Sequence, residues 1–125
     1  MGRRTSLVVS EADLELYGTQ LLELDSWRSL KTDPVSRREW GKGFGEKGMA
    51  DCLYLRYGVP LPHCQCLWIE WKRLKGKAAP HQLAWIANER FRGALVMLAG
   101  VDFEATPEGF LNFYRGSGLM RREIT

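Results

Sequence analysis

Cys64-Gln65-Cys66-Leu67-Trp68-Ile69-Glu70-Trp71-Lys72 is the stretch from which the fold of this chain is read. In a strand, side chains two positions apart point to the same side of the sheet. Leu67, Ile69 and Trp71 then make one apolar face, while Glu70 and Lys72 share the other. A carboxylate and an ammonium at the buried end of an apolar strand are costly unless they pair, hold a metal or do chemistry. The stretch therefore marks both the centre of a sheet and a candidate site.

Immediately before it, Gly58-Val59-Pro60-Leu61-Pro62 reads as a turn, and Ala50 to Tyr57 as the strand on its other side, so the two strands form a hairpin. Beyond it, Arg73 to Pro80 is a basic connection, and Pro80 opens a helix running to about Phe91, with Gly93 as its cap. Ala94 to Ala99 is a wholly apolar run of six residues, which fits a strand buried on both faces. Pro107 starts a last helix, with Phe110, Leu111 and Tyr114 on its inner side and Gly116 and Gly118 ending it. The tail from Met120 to Glu123 reads as loose.

Upstream, Ser10 caps a helix whose first turn carries Glu11 and Asp13. Leu14, Tyr17, Leu21, Leu22, Leu24 and Trp27 recur at helical spacing, so the helix is expected to run to near Lys31, with Gly18 weakening its interior. From Val35 to Gly48 the chain is charged and glycine-rich; a short strand and a basic loop are both allowed there. The order of helix, strands, helix, strand, helix predicts an α/β fold, a small mixed β-sheet flanked by helices.

The chain has 125 residues, 45% hydrophobic and 26% charged, which suits one domain (1–125, with its core at about 11–115 and a basic tail at 116–125). A net charge of +3 permits a polyanionic partner without demanding one. No apolar run is long enough to span a bilayer, and the basic start Met1-Gly2-Arg3-Arg4 lacks the apolar core of a secretory signal. A cytoplasmic protein without a membrane partner is the expectation. Cys52, Cys64 and Cys66 make an odd count, which argues against a disulfide framework. Cys64-x-Cys66 with His63 lacks the spacing and the second ligand pair of a zinc site, so the cysteines are read as small packing residues.

Asp51 begins one strand of the hairpin and Glu70 ends the next, 19 positions later, so antiparallel pairing can set the two carboxylates side by side. Such a pair is a hard oxygen site suited to Mg²⁺ or Mn²⁺. Lys72, on the face of Glu70, can orient an attacking water and steady developing negative charge, which suits phosphodiester hydrolysis. An Asp51–Lys72 or Glu70–Lys72 ion pair without chemistry remains the alternative on residue types alone.

Gly48-Met49-Ala50-Asp51, then Ile69-Glu70-Trp71-Lys72-Arg73, then Ala79-Pro80-His81-Gln82 resembles the VRR-NUC domain, the virus-type replication-repair nucleases of the PD-(D/E)XK superfamily. The family pattern is a Gly-x-x-Asp strand, a Glu-x-Lys strand and a Gln about ten residues beyond; Gln82 is ten residues past Lys72, and the likeness spans Glu11 to Tyr114. It implies that Asp51, Glu70 and the Trp71 carbonyl hold Mg²⁺ or Mn²⁺, that Lys72 is the catalytic lysine, and that Gln82 contacts the site. A first-helix acid joins them in this family; Glu11 and Glu15 share a helix face, with Glu15 preferred. Ala50 stands where the superfamily name has proline.

The resemblance implies a metal-dependent DNA endonuclease, DNA-associated in the cell, selective for Holliday junctions or other branched DNA in replication, repair or recombination. It also implies a homodimer, since symmetric cleavage of a junction needs two sites related by a two-fold axis. The family is frequent in phages. Basic residues on both sides of the site fit that role: Arg37, Arg38, Lys42 and Lys47 before it, Arg73, Lys75 and Lys77 after it, placed to hold phosphates. Trp40 or Phe44 can stack on a splayed base, although core packing is the favoured reading of both. The rival readings are a nucleic-acid-binding module that keeps the fold without turnover, and a phosphodiesterase of small molecules.

Overall fold

Seven elements form in the computed structural model, which describes residues 9–32, 47–58 and 63–123. In chain order they are α1 (Glu11–Leu24), β1 (Arg28–Lys31), β2 (Cys52–Tyr57), β3 (Cys64–Glu70), α2 (Pro80–Phe91), β4 (Val96–Leu98) and α3 (Pro107–Gly116). The sheet order is β1-β2-β3-β4. The first three strands pair antiparallel, and β4 joins β3 in parallel after the α2 crossover. This is the mixed α/β architecture that the order of elements predicts. No described helix is long and apolar enough to cross a membrane.

Strand alternation separates two cores. Cys52 lies opposite Ile69 and Tyr54 opposite Leu67, so these four share one face of the sheet. On that face Leu14, Leu21 and Leu22 of α1 and Phe110 and Tyr114 of α3 close over Trp71 and Phe103. Trp68 lies beside Val96 and Glu70 beside Leu98 on the opposite face, where Trp85 and Ile86 of α2 and Ala50 complete a second, smaller core. Glu70 thus faces α2, and Trp71 faces α1 and α3.

Two expectations fail at the chain's first and last turns. The first helix ends at Leu24, not near Lys31; Ser26 takes a left-handed conformation (φ 75°), and Arg28–Lys31 becomes an edge strand. Trp27 kept the helical period because it is buried in either conformation, here with its indole N–H donating to Tyr114 Oη at 2.8 Å. The stretch from Met120 to Glu123 is not loose either: the backbone N–H groups of Arg121 and Arg122 donate to the buried Asp25 carboxylate at 2.9 and 2.8 Å. Asp25 also accepts from Tyr114 Oη and, at 3.0 Å, from Arg56 Nη1. Arg56 is equally buried and stacks over Trp27, 4.3 Å from the ring centroid. Burial by itself raises the Asp25 carboxyl, but the hydrogen bonds from Tyr114, Arg121 and Arg122, with the Arg56 charge, outweigh it and hold Asp25 below its ordinary 3.8.

The outer edge of β4 is closed by side chains. Arg90 Nη2 donates to the Val96 carbonyl at 2.7 Å and to Asp102 at 2.8 Å, while Asp102 accepts the Leu98 N–H at 2.7 Å. These bonds occupy the backbone groups that an incoming strand would need.

Candidate active site

Three local devices bring the candidate residues together. The first is Gly48, which sits at φ +84°; a Cβ there would lie 2.3 Å from the carbonyl oxygen of His81. Only glycine lets this segment pass so close to the start of α2, and three residues later it delivers Asp51 to the head of β2. The second is Thr32, whose hydroxyl donates to the carbonyls of Ala50 (2.8 Å) and Asp51 (2.9 Å), fastening the turn to the end of β1. The third is Gln82, whose side-chain carbonyl accepts the Ala79 N–H at 2.8 Å and caps the first turn of α2.

These devices leave a closed polar set at the end of β3. Glu70 Oε1 accepts the Asp51 N–H at 3.1 Å, and Glu70 Oε2 accepts from the Gln82 amide at 2.9 Å. Lys72 Nζ lies 3.2 Å from Glu70 Oε2 and donates to the Gln82 side-chain carbonyl at 3.1 Å. The Glu70 side chain is 2% exposed and that of Lys72 16%, so the carboxylate is desolvated and the lysine largely buried beside it. Asp51 is half-buried.

Burial, and then the neighbouring Asp51 charge, push the Glu70 carboxyl up to about 7 against the opposing pull of Lys72. Asp51 is raised as well, by burial first, with Lys31 and Lys72 opposing. Glu11 is raised by burial and by the Asp51 charge, again opposed by Lys72. The Asp51 charge thus raises both Glu70 and Glu11, and Glu15 in turn raises Asp51, so carboxylate repulsion centres on Asp51, which a bound cation would relieve.

Among the described residues, no three His, Cys, Asp or Glu side chains stand close enough together to hold a metal ion. The donors are the Asp51 and Glu70 carboxylates, and this fits Mg²⁺ or Mn²⁺, because Mg²⁺ keeps several waters and binds through one or two carboxylates. It does not fit zinc.

Of the two first-helix acids, Glu15 is held by Lys31 Nζ at 2.9 and 3.0 Å and its charge raises Asp51, while Glu11 is raised by burial first and then by the Asp51 charge, so both lie within electrostatic reach of Asp51. Sequence reading missed Lys31 and Thr32, because both follow from β1, which was expected to be helix. Lys47, Arg73, Lys75 and Lys77 are exposed. Arg37, Arg38, Lys42, Trp40 and Phe44 lie outside the described residues. Of the cysteines only Cys52 packs in the core; Cys64 and Cys66 are exposed, since β3 begins before the helices cover it. The expectation that all three are packing residues is corrected on that point.

Compared with protein-family models, with curated proteins and with solved structures, the chain has no match.

Proposed function

We propose that this chain is a divalent-metal-dependent DNA endonuclease with a PD-(D/E)XK-type site, selective for Holliday-junction or other branched substrates and acting as a homodimer. The observation that carries the reading is the buried Glu70 tied at once to the Asp51 backbone, Lys72 and Gln82. Residues 31 positions apart in sequence, Asp51 to Gln82, meet there around two carboxylates and one ammonium. Asp51 and Glu70 would hold Mg²⁺ or Mn²⁺, with the Trp71 carbonyl and a first-helix acid, Glu15 or Glu11, as further donors. The ion, when bound, supplies Lewis-acid activation of the phosphodiester.

The chain's own residues do the rest. Lys72 meets the phosphate oxygen that gains charge in the transition state. Gln82 fixes the Lys72 ammonium and the Glu70 carboxylate relative to each other, so neither reorganises during the reaction. Lys47, Arg73, Lys75 and Lys77 bind the flanking phosphates without reading sequence. A dimer would have to form away from β4, whose edge is closed by Arg90 and Asp102.

A panel of plasmid, fork and four-way-junction DNAs with Mg²⁺ or Mn²⁺ tests the proposal. Glu70→Gln and Lys72→Ala should abolish cleavage and leave binding in EDTA nearly intact. A wild-type protein that cuts none of these with either ion sinks the nuclease reading. The second reading, a binding module without turnover, is favoured by one observation: the Glu70–Lys72–Gln82 set is already hydrogen-bonded within itself. Binding of junction DNA without cleavage would establish it.

A further inference from the structure

The loop that leads from Lys72 to α2 encloses more than a connection. Together with the turn after β4 it walls a cavity of about 440 Å³, which is within the size range of small-ligand sites. Its walls are aliphatic, from Leu74, Ala78, Leu83 and Leu98, and its rim carries Lys75, Lys77 and Glu104. Leu98 is the cross-strand partner of Glu70, and the Ala99 N–H donates to the Glu70 carbonyl at 3.0 Å. Neighbouring strands lie about 4.8 Å apart, so one wall of the cavity is within a nucleotide's reach of the carboxylate.

The backbone of the rim is held in an unfavourable conformation. Lys75 sits at φ 69°, a left-handed conformation disfavoured for a residue with a Cβ. Strain of this kind concentrates where a loop must present a particular group. Here it fixes an exposed ammonium on the lip of an apolar hollow.

We infer that this cavity is a nucleoside subsite, in which one base of a bound nucleic acid inserts between the aliphatic walls while Lys75 and Lys77 hold the phosphates beside it. A flat heteroaromatic ring flanked by anionic esters is the ligand that such walls and such a rim complement together. Glu104 accepts from an exocyclic amino group of the base. The inference rests on the reading that a phosphate lies at Glu70 and Lys72, and it makes the substrate engage the protein through a base as well as through its backbone.

Titration of ¹⁵N-labelled protein with nucleoside 5′-monophosphates in EDTA reads the cavity directly. Amide shifts are expected at Gly100, Val101 and Ala105, lost in Leu83→Trp, which fills the cavity from a half-exposed helix position, and weakened in Lys75→Gln/Lys77→Gln. Shifts that are absent there, or unchanged in both variants, overturn the inference whether or not the chain cuts DNA. In cleavage assays, one abasic position beside the nick should raise KM about tenfold in wild type, and Leu83→Trp should abolish that difference. A protein that binds nucleotides in the cavity but cuts no DNA refutes the nuclease reading and leaves the subsite standing. One that cuts DNA with no dependence on the base refutes the subsite alone.

Discussion

Gly18→Ala separates helix propensity from tertiary packing, because the two predict opposite signs. Gly18 lies inside α1, and replacing an interior helix glycine by alanine stabilises by about 1 kcal/mol on propensity alone. The structure puts a Cβ at this position 2.2 Å from the end of the Trp71 ring, and within 2.8 and 2.9 Å of two further ring atoms. The ring cannot retreat. It is fully buried, packed edge-on against Phe103 and Phe110, and tied through Nε1 to Tyr54 Oη at 3.0 Å. Overpacking of this kind costs about 3 kcal/mol at the upper end of its usual range. Set against the propensity gain, Gly18→Ala should lower stability by roughly 2 kcal/mol. Urea denaturation measures this, with Gly116→Ala as control; that helical glycine has nothing within 4 Å of its added Cβ and should gain up to about 1 kcal/mol. A Gly18→Ala protein as stable as wild type, or more so, would refute the packing of α1 on Trp71. Trp71 stands between Glu70 and Lys72, so under the proposed function the same variant should also lose DNA cleavage.

Asp25→Ala should destabilise by about 3–5 kcal/mol, read as a lower urea midpoint, because it leaves the Arg56 guanidinium buried without its carboxylate. Asp25 also sets a pH dependence. Its folded pKa lies below the ordinary 3.8, so its contribution is complete above that value and is lost as pH falls through 3.8 toward the folded pKa. Melting temperature should therefore fall more steeply below about pH 4 in wild type than in Asp25→Asn. Asp102→Ala removes the acceptor for Leu98 N–H and Arg90, and should both destabilise by roughly 1 kcal/mol and raise concentration-dependent association in light scattering. If association does not change, the Arg90–Asp102 pair is not what protects that edge.

The two later helices and the hairpin were legible because their signals are local. Pro80 and Pro107 begin helices, Gly93 takes φ +98° just after α2, and alternation through Leu67, Ile69 and Trp71 marks the buried face. Asp51, Glu70 and Lys72 were legible from strand spacing, and Gln82 only from the family resemblance. The end of α1 was not: Ser26 is not a residue type that announces a left-handed turn, and Arg28-Ser29-Leu30-Lys31 holds one apolar residue. Its strand forms by pairing with β2, a contact no local pattern encodes.

The sequence by itself determined the class of fold, the pairing of β2 with β3 and the residues that can meet at their ends, because side-chain period and turn chemistry act over a few residues. Only the tertiary structure decided what those residues touch. Gly18 is a seat for Trp71 and not a weak point of a helix, Asp25 anchors the backbone of Arg121 and Arg122, and Glu15 is paired with Lys31 while its charge still bears on Asp51. Burial and charge at a point depend on which elements converge there, and that convergence is a property of the packed sheet and helices rather than of any stretch of chain.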